Sequence, residues 1–270
     1  MARPSSAWRL CSYPNESPVS LWRRGRLYTP VVTTPSKQPT EAELAERLQG
    51  LPPPAPRVPF TPYDPGEAPE KAAQRFYEIM KQRRTVRDFS DRPVSLATME
   101  WIIRAAGTSP SGAHKQPWRF VCVRDAATKR KIREAAEAEE REFYARRASR
   151  RWLEDLAPLG TDSSKPFLEI APWIVVVFQL AKTDTGGLVY YRQESVGIAV
   201  GLLLAAAHHA GLVTLTHTPS PMGFLQKALN RPPHERAFVV IPVGYPAEQC
   251  TAPDLQRKPL EEIMVVPDEA

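Results

Sequence analysis

The sequence is short of cysteine: it has three, Cys11, Cys122 and Cys250, an odd number set far apart, with no Cys-x-x-Cys pair and no histidine at metal-ligand spacing. That argues against a disulfide framework and against zinc, and it fits free thiols in a reducing, cytoplasmic compartment. Long apolar runs are missing too. The longest uncharged one, Val196 to Ala207, has twelve residues, against the roughly 20 that a bilayer span requires. No membrane span is therefore expected, and the run reads as a buried core helix. The chain has no Gly-x-Gly-x-x-Gly and no Walker loop, so a Rossmann or P-loop nucleotide site is not indicated. It also lacks a basic stripe with interleaved aromatics, so nucleic acid is not an expected partner. No internal repeat is visible.

Proline is in excess. The chain has 29 in 270 residues, roughly double the usual ~5%. Thirteen fall between Pro4 and Pro65, in a stretch with little apolar periodicity that includes Leu51-Pro-Pro-Pro-Ala-Pro56. Such a segment cannot offset its ordering entropy by burial. Residues 1–66 are therefore expected to be a basic, mostly disordered or extended leader, followed by one domain over 67–270. The leader carries eight Lys/Arg against five Asp/Glu, half of the net charge of +6. Its first 30 residues, with Arg3, Arg9, Arg23, Arg24, Arg26, several serines and the single acid Glu16, fit either an untargeted leader or an organelle transit peptide.

Beyond the leader, Ala73, Phe76, Tyr77 and Met80 recur at helical spacing, and Met99, Ile102, Ile103 and Ala106 give the buried face of a helix from about Leu96 to Ala106, ended by Gly107. Trp118 to Val123 alternates and reads as a strand. A long charged helix is expected from about Ala126 to Leu156, and a strand buried on both faces at Ile174 to Phe178. A helix from about Tyr190 to His209, almost uniformly apolar in its second half and ended by Gly211, is expected at the centre of the fold or of a dimer. Two more strands, Leu212 to Thr216 and Phe238 to Val243, flank a short helix around Phe224 to Leu229. This order predicts an α+β fold, a sheet sandwiched by helices.

Arg83, Arg84 and Arg87 crowd a helix-to-turn junction, and Arg257 and Lys258 add cations near the C-terminus. Planar guanidinium forks bind phosphate oxygens in pairs, although such clusters also serve as plain surface charge. In the turn-rich loop from Thr108 to Trp118, Ser111 and Gly112 offer a hydroxyl and an unobstructed backbone to a flat ligand, if the loop is more than a connection. Thr216-His-Thr-Pro219 ends a strand in a similar way. His114 and His217 are isolated and read as hydrogen-bonding or surface residues. Glu140 and Tyr144 lie one helical turn apart, and Lys165 follows in a loop-like stretch. An acid, a phenol and an amine together suit an amino-acid zwitterion; the same spacing also describes a solvated helix face.

Taken together, Arg83-Arg-Thr-Val-Arg87, Gly107-Thr-Ser-Pro-Ser-Gly-Ala-His114, Glu139-Glu-Arg-Glu-Phe-Tyr144, Arg150-Arg-Trp152, Pro242-Val-Gly-Tyr-Pro246 and Pro253-Asp-Leu-Gln-Arg-Lys-Pro259 resemble the flavin-binding nitroreductase superfamily, from about Phe60 to Val266. Glu140, Tyr144 and Lys165 resemble its halotyrosine-dehalogenating branch. The resemblance implies an FMN-binding α-β-α sandwich, a domain-exchanged homodimer with each FMN between subunits, and a lid at about 126–170. It implies that Arg83, Arg84, Arg87 and Arg257 hold the phosphate and ribityl chain, that Ser111 and Gly112 contact the isoalloxazine, and that Thr216, His217 and Thr218 lie along its N5 side, with Thr218 the catalytic contact. Ala113 would present its N–H to the substrate phenolate, and Glu140, Tyr144 and Lys165 would hold the zwitterion. Animal members have a membrane anchor, which is not expected here, and read Thr at the position of His217. The implied activity is FMN-dependent reductive dehalogenation of halotyrosines, fed by an NAD(P)H-linked reductant. A broader nitroreductase or quinone reductase, and a non-catalytic flavin or halotyrosine binder, are the rivals.

Overall fold

A computed structural model describes residues 39–267; Cys11 and the transit-peptide expectation lie outside the described residues. The chain divides into two compact units, one ending at Pro62 and one beginning at Tyr63. In the first, α1 (Glu41–Leu48) forms although none of its residues is buried. Its cause is local: the Glu43 N–H donates to Thr40 Oγ1 at 3.3 Å and the Thr40 N–H donates to the Glu43 carboxylate at 2.6 Å, a reciprocal cap. The prolines from Pro52 onward then remove donors and forbid further helix.

The second unit is built around a four-stranded antiparallel sheet in the order β1-β2-β4-β3. The strands are β1 (Trp118–Val123), β2 (Trp173–Leu180), β3 (Val213–Thr214) and β4 (Glu235–Gly244). β2 is central, and its alternation feeds two separate cores. Trp173, Val175 and Val177, with Val239, Ile241 and Val243 of β4, pack in one core with residues of α3 (Leu96–Gly107) and α7 (Arg192–His209). Ile174, Val176 and Phe178, with Val240, pack in the other with α4 (Ala126–Glu142), α6 (Phe167–Ile170) and α8 (Gly223–Ala228). A sheet with both faces covered is the three-layered α+β arrangement expected, and each buried Val, Ile or Phe adds about 1.5–3 kcal/mol. Gly211, at φ +75°, takes the left-handed turn that ends α7.

Two expectations need correction. The long charged helix is broken: α4 gives way to a π-helical turn, Phe143–Arg147, and the chain restarts at α5 (Arg150–Leu156). Ser149 causes the restart, its Oγ accepting from the Trp152 N–H at 3.2 Å. β3 is shorter than expected, because only Val213 and Thr214 pair with β4. α2 (Pro69–Met80) forms where the spacing predicts a helix, with no buried residue, and Phe76 and Tyr77 are exposed. On α7, Ile198 and Leu202 are exposed as well, on the side away from the core.

Candidate active site

The arginine turn follows α2 directly. The end of α2 is pinned to α7 by a hydrogen bond between His208 Nε2 and the Ile79 carbonyl, 2.8 Å. The chain then runs beside β3: Thr85 bridges to Thr214 in parallel, and the Val86 N–H donates to the Thr214 carbonyl at 3.1 Å. With Val86 buried as the anchor, Arg83, Arg84 and Arg87 are left half-buried around a cavity of about 340 Å³ that Thr216, Pro253 and Arg257 also line. The C-terminal segment is tied onto this turn. Arg84 donates to the Pro253 carbonyl, and Arg257 donates to the Lys81 carbonyl at 2.8 Å and the Arg83 carbonyl at 2.6 Å. Among the described residues no carboxylate pairs with these four guanidiniums. Burial, then the neighbouring Arg257 and Arg84 charges, push the Arg83 guanidinium below its ordinary value. Like charges gathered without a counter-charge form a seat for an anion.

A second cavity, about 210 Å³, adjoins the first through Arg87, Leu159, Leu215 and Thr216. Here Glu140, Tyr144 and Lys165 converge. Lys165 is only 2% exposed; its Nζ lies 3.3 Å from Glu140 Oε2, 3.1 Å from Thr161 Oγ1 and against the Asp162 carbonyl. The Tyr144 hydroxyl donates to the Thr161 carbonyl at 3.1 Å. Burial raises its pKa, keeping the phenol protonated at neutral pH. Phe143 stands edge-on to both Tyr144 and Trp152, with ring centroids 5.4 and 4.9 Å apart, so the π-helical turn is braced by aromatics where it carries Tyr144.

Thr216, His217 and Thr218 also line this cavity. Exposure alternates along them: Thr216 and Thr218 are exposed and His217 is buried. Its backbone is clamped to Val240 by reciprocal hydrogen bonds of 2.8 and 2.9 Å, its ring meets Phe167 edge-on at 5.7 Å, and its Nε2 is buried without a hydrogen-bond partner. Burial, then the Lys165 and Arg87 charges, push the imidazole down to about 3. Between that value and the unfolded value near 6.5 the unfolded chain binds a proton that the native state refuses. Native stability is therefore expected to fall as pH drops from about 6.5 towards about 3, by up to about 1.4 kcal/mol per pH unit from this group. Urea unfolding at pH 7 and pH 5 should show His217→Thr less acid-sensitive than the parent; equal sensitivity would mean that His217 is not the group responsible.

Ser111, Gly112 and Ala113 line neither cavity. Ser111 Oγ accepts from the Gln116 N–H at 2.9 Å, and the Gly112 N–H donates to Ser195 Oγ at 3.3 Å. A Cβ at Gly112 would lie 2.9 Å from the Tyr191 ring and 3.1 Å from the Tyr190 carbonyl, so a side chain there would have to displace them. Ala113, at φ 48°, is held in the left-handed region and is exposed. The chain thus brings together Arg83, Arg84, Arg87, Arg257, Thr216, His217, Thr218, Glu140, Tyr144 and Lys165, and leaves the Ser111–Ala113 turn apart. Thr161, Leu215 and Ser220 are cavity residues that no sequence signal marked.

A family model described as the nitroreductase family matches residues 80–245, a span containing all the strands, and the chain belongs to that family. Within it, the chain is similar to iodotyrosine deiodinases. It is 57% identical to that of Haliscomenobacter hydrossis over 216 residues, 77% of this chain and 97% of the relative. It is 49% identical to that of Nematostella vectensis over 205 residues, 74% and 78% of the two chains, and 43% identical to iodotyrosine deiodinase 1 of Homo sapiens over 217 residues, 77% and 75%. Among solved structures, it matches oxidized iodotyrosine deiodinase bound to FMN and 3-iodo-L-tyrosine with a TM-score of 0.63 and 33% identity, covering 72% of this chain and 99% of that one.

Proposed function

We propose that the protein is an FMN-dependent iodotyrosine deiodinase, removing halogen reductively from halotyrosines to release halide and tyrosine. The observation that carries this reading is the Glu140–Lys165 ion pair of 3.3 Å, with Tyr144 beside it, in a cavity adjoining a seat of unpaired arginines. The two charges face each other at 3.3 Å. A zwitterion entering between them exchanges one ion pair for two, its ammonium meeting Glu140 and the Tyr144 oxygen and its carboxylate meeting Lys165, so that no charge is left buried alone.

The uncompensated guanidiniums of Arg83, Arg84, Arg87 and Arg257 fit the FMN phosphate, and Thr216 and Thr218 offer hydroxyls on the exposed side of their segment. Reduced FMN held there would supply two electrons which, with one proton, replace the carbon–halogen bond by carbon–hydrogen and release halide, and an NAD(P)H-linked reductant would replenish them. Glu140, Tyr144 and Lys165 orient the halotyrosine and exclude water by holding the lid down. Ser111, Gly112 and Ala113 act from the second subunit of a homodimer. Support for that comes from their lining neither cavity and from the uncovered apolar residues Phe76, Tyr77, Ile198 and Leu202.

The purified protein is expected to be yellow, to release FMN and not FAD on denaturation, and to liberate iodide from 3-iodo-L-tyrosine faster than it reduces nitroaromatics or quinones. A folded protein without flavin affinity would overturn the reading. One that binds flavin and iodotyrosine but leaves the reduced flavin unoxidised would be a binder only.

A further inference from the structure

We infer that Glu137 is the positioning residue for Lys165, fastening the segment that carries this lysine to α4 so that Glu140 and Lys165 reach the ligand as one preassembled pair. The inference rests on the zwitterion-binding role proposed for that pair. Glu137 does not line the cavity and so touches no ligand there. Its Oε1 accepts from the Lys165 backbone N–H at 2.7 Å and from Arg133 Nε at 2.9 Å. Lys165 sits just before α6, where Pro166 provides no side-chain cap. Its carbonyl accepts from the Leu168 N–H at 3.0 Å, while its own N–H depends on Glu137.

The same face of α4 holds the rest of this segment. Arg133 Nη1 reaches Glu169 Oε2 at 3.1 Å, Arg130 Nε reaches Glu169 Oε1 at 3.0 Å, and Lys129 Nζ donates to the Glu169 and Ala171 carbonyls at 2.8 and 2.7 Å. Residues 129, 130, 133, 137 and 140 form one stripe along the helix, so the grip that ends in Glu137 is continuous with the side chain of Glu140. Burial raises the Glu137 carboxyl, but the Lys165 N–H and then Arg133 lower it further, and it stays below the ordinary carboxylate value. It is therefore a charged acceptor at neutral pH. Removing it leaves the Lys165 N–H without its partner and lets the lysine drift from Glu140.

The test is a double-mutant cycle on the FMN-loaded protein, with binding of 3-iodo-L-tyrosine and 2-iodophenol read by flavin fluorescence. Glu137→Ala is expected to weaken iodotyrosine binding about tenfold, the cost of one charge-assisted hydrogen bond, while iodophenol binding changes less than about twofold. In a Lys165→Met background, adding Glu137→Ala should cost nothing more, because the residue it positions is gone. Glu137→Gln keeps an acceptor for the N–H and should fall between; it supplies the cycle if the alanine variant does not fold. Equal losses for both ligands, or a loss that persists undiminished beside Lys165→Met, would make Glu137 a general structural residue and overturn the inference. Wild-type-like iodotyrosine binding by Glu137→Ala would overturn it too, leaving the proposed function intact. Failure of the parent protein to prefer iodotyrosine over iodophenol would overturn both.

Discussion

An Arg257→Ala variant is expected to purify nearly colourless. Arg257 contributes twice to the anion seat, as one of its charges and as the clasp that joins the C-terminal segment to the Lys81 and Arg83 carbonyls. Deleting it removes two charge-assisted hydrogen bonds, each worth about 1.5–3 kcal/mol, and lets Pro253 drift from Arg84. FMN affinity should fall by at least about a hundredfold, since about 1.4 kcal/mol is a factor of ten. Arg257→Lys should recover only part of it, because a single ammonium cannot span both carbonyls as the planar fork does. The ratio of visible to ultraviolet absorbance after gel filtration, with circular dichroism as a check on folding, measures this. Stoichiometric flavin in the alanine variant would place the phosphate elsewhere.

Lys165→Met is expected to have the other large effect. The methionine matches the length of the lysine, but Glu140, whose side chain is 12% exposed, then loses its cation in an enclosed place, and the ligand carboxylate loses its counter-charge. Iodotyrosine binding should weaken by about 2–3 kcal/mol, the upper range for a hydrogen bond to a charged group. Iodophenol, which has no zwitterion, should bind almost as before. The double variant Glu140→Gln, Lys165→Met should be more stable than Lys165→Met alone, because exchanging a whole buried pair costs less than breaking it. Thermal unfolding and fluorescence titration supply both readouts. Parallel losses for the two ligands would show that the lysine supports the cavity and does not read the ligand.

Legibility in the sequence tracked how local the cause was. β1 has the expected bounds, Trp118–Val123, because alternating β-branched and aromatic residues carry their own pattern. α3 was legible for the same reason, through Met99, Ile102 and Ala106. α1 was missed because a reciprocal cap holds it and no apolar stripe announces it. The break after α4 was hidden because neither glycine nor proline marks it; the signal was Ser149, one serine in a charged run. Within the site, composition could suggest the arginines as an anion seat, whereas Lys165 stands far along the chain from Glu140; residue types could suggest a zwitterion site or a solvated face, and the resemblance favoured the first. Nothing in the sequence marks Glu137, since its role depends on an N–H brought to it by tertiary structure. Ser111, Gly112 and Ala113 are a different case: Ala113 takes its left-handed conformation within one chain, and the role proposed for the turn in a second copy would leave no periodicity in the sequence.

The pairing of Thr85 with Thr214 also bears on solubility. β3 is the end strand of the sheet, and an uncovered end strand is a template on which another chain can add itself. Here the arginine turn occupies that edge, with the Val86 N–H taking the Thr214 carbonyl. Its guanidiniums, with Glu248 beside them, surround the covered edge with charged groups, which a further strand would have to desolvate to pair there. The turn proposed to hold a phosphate thus also occupies the edge at which a second chain would otherwise pair.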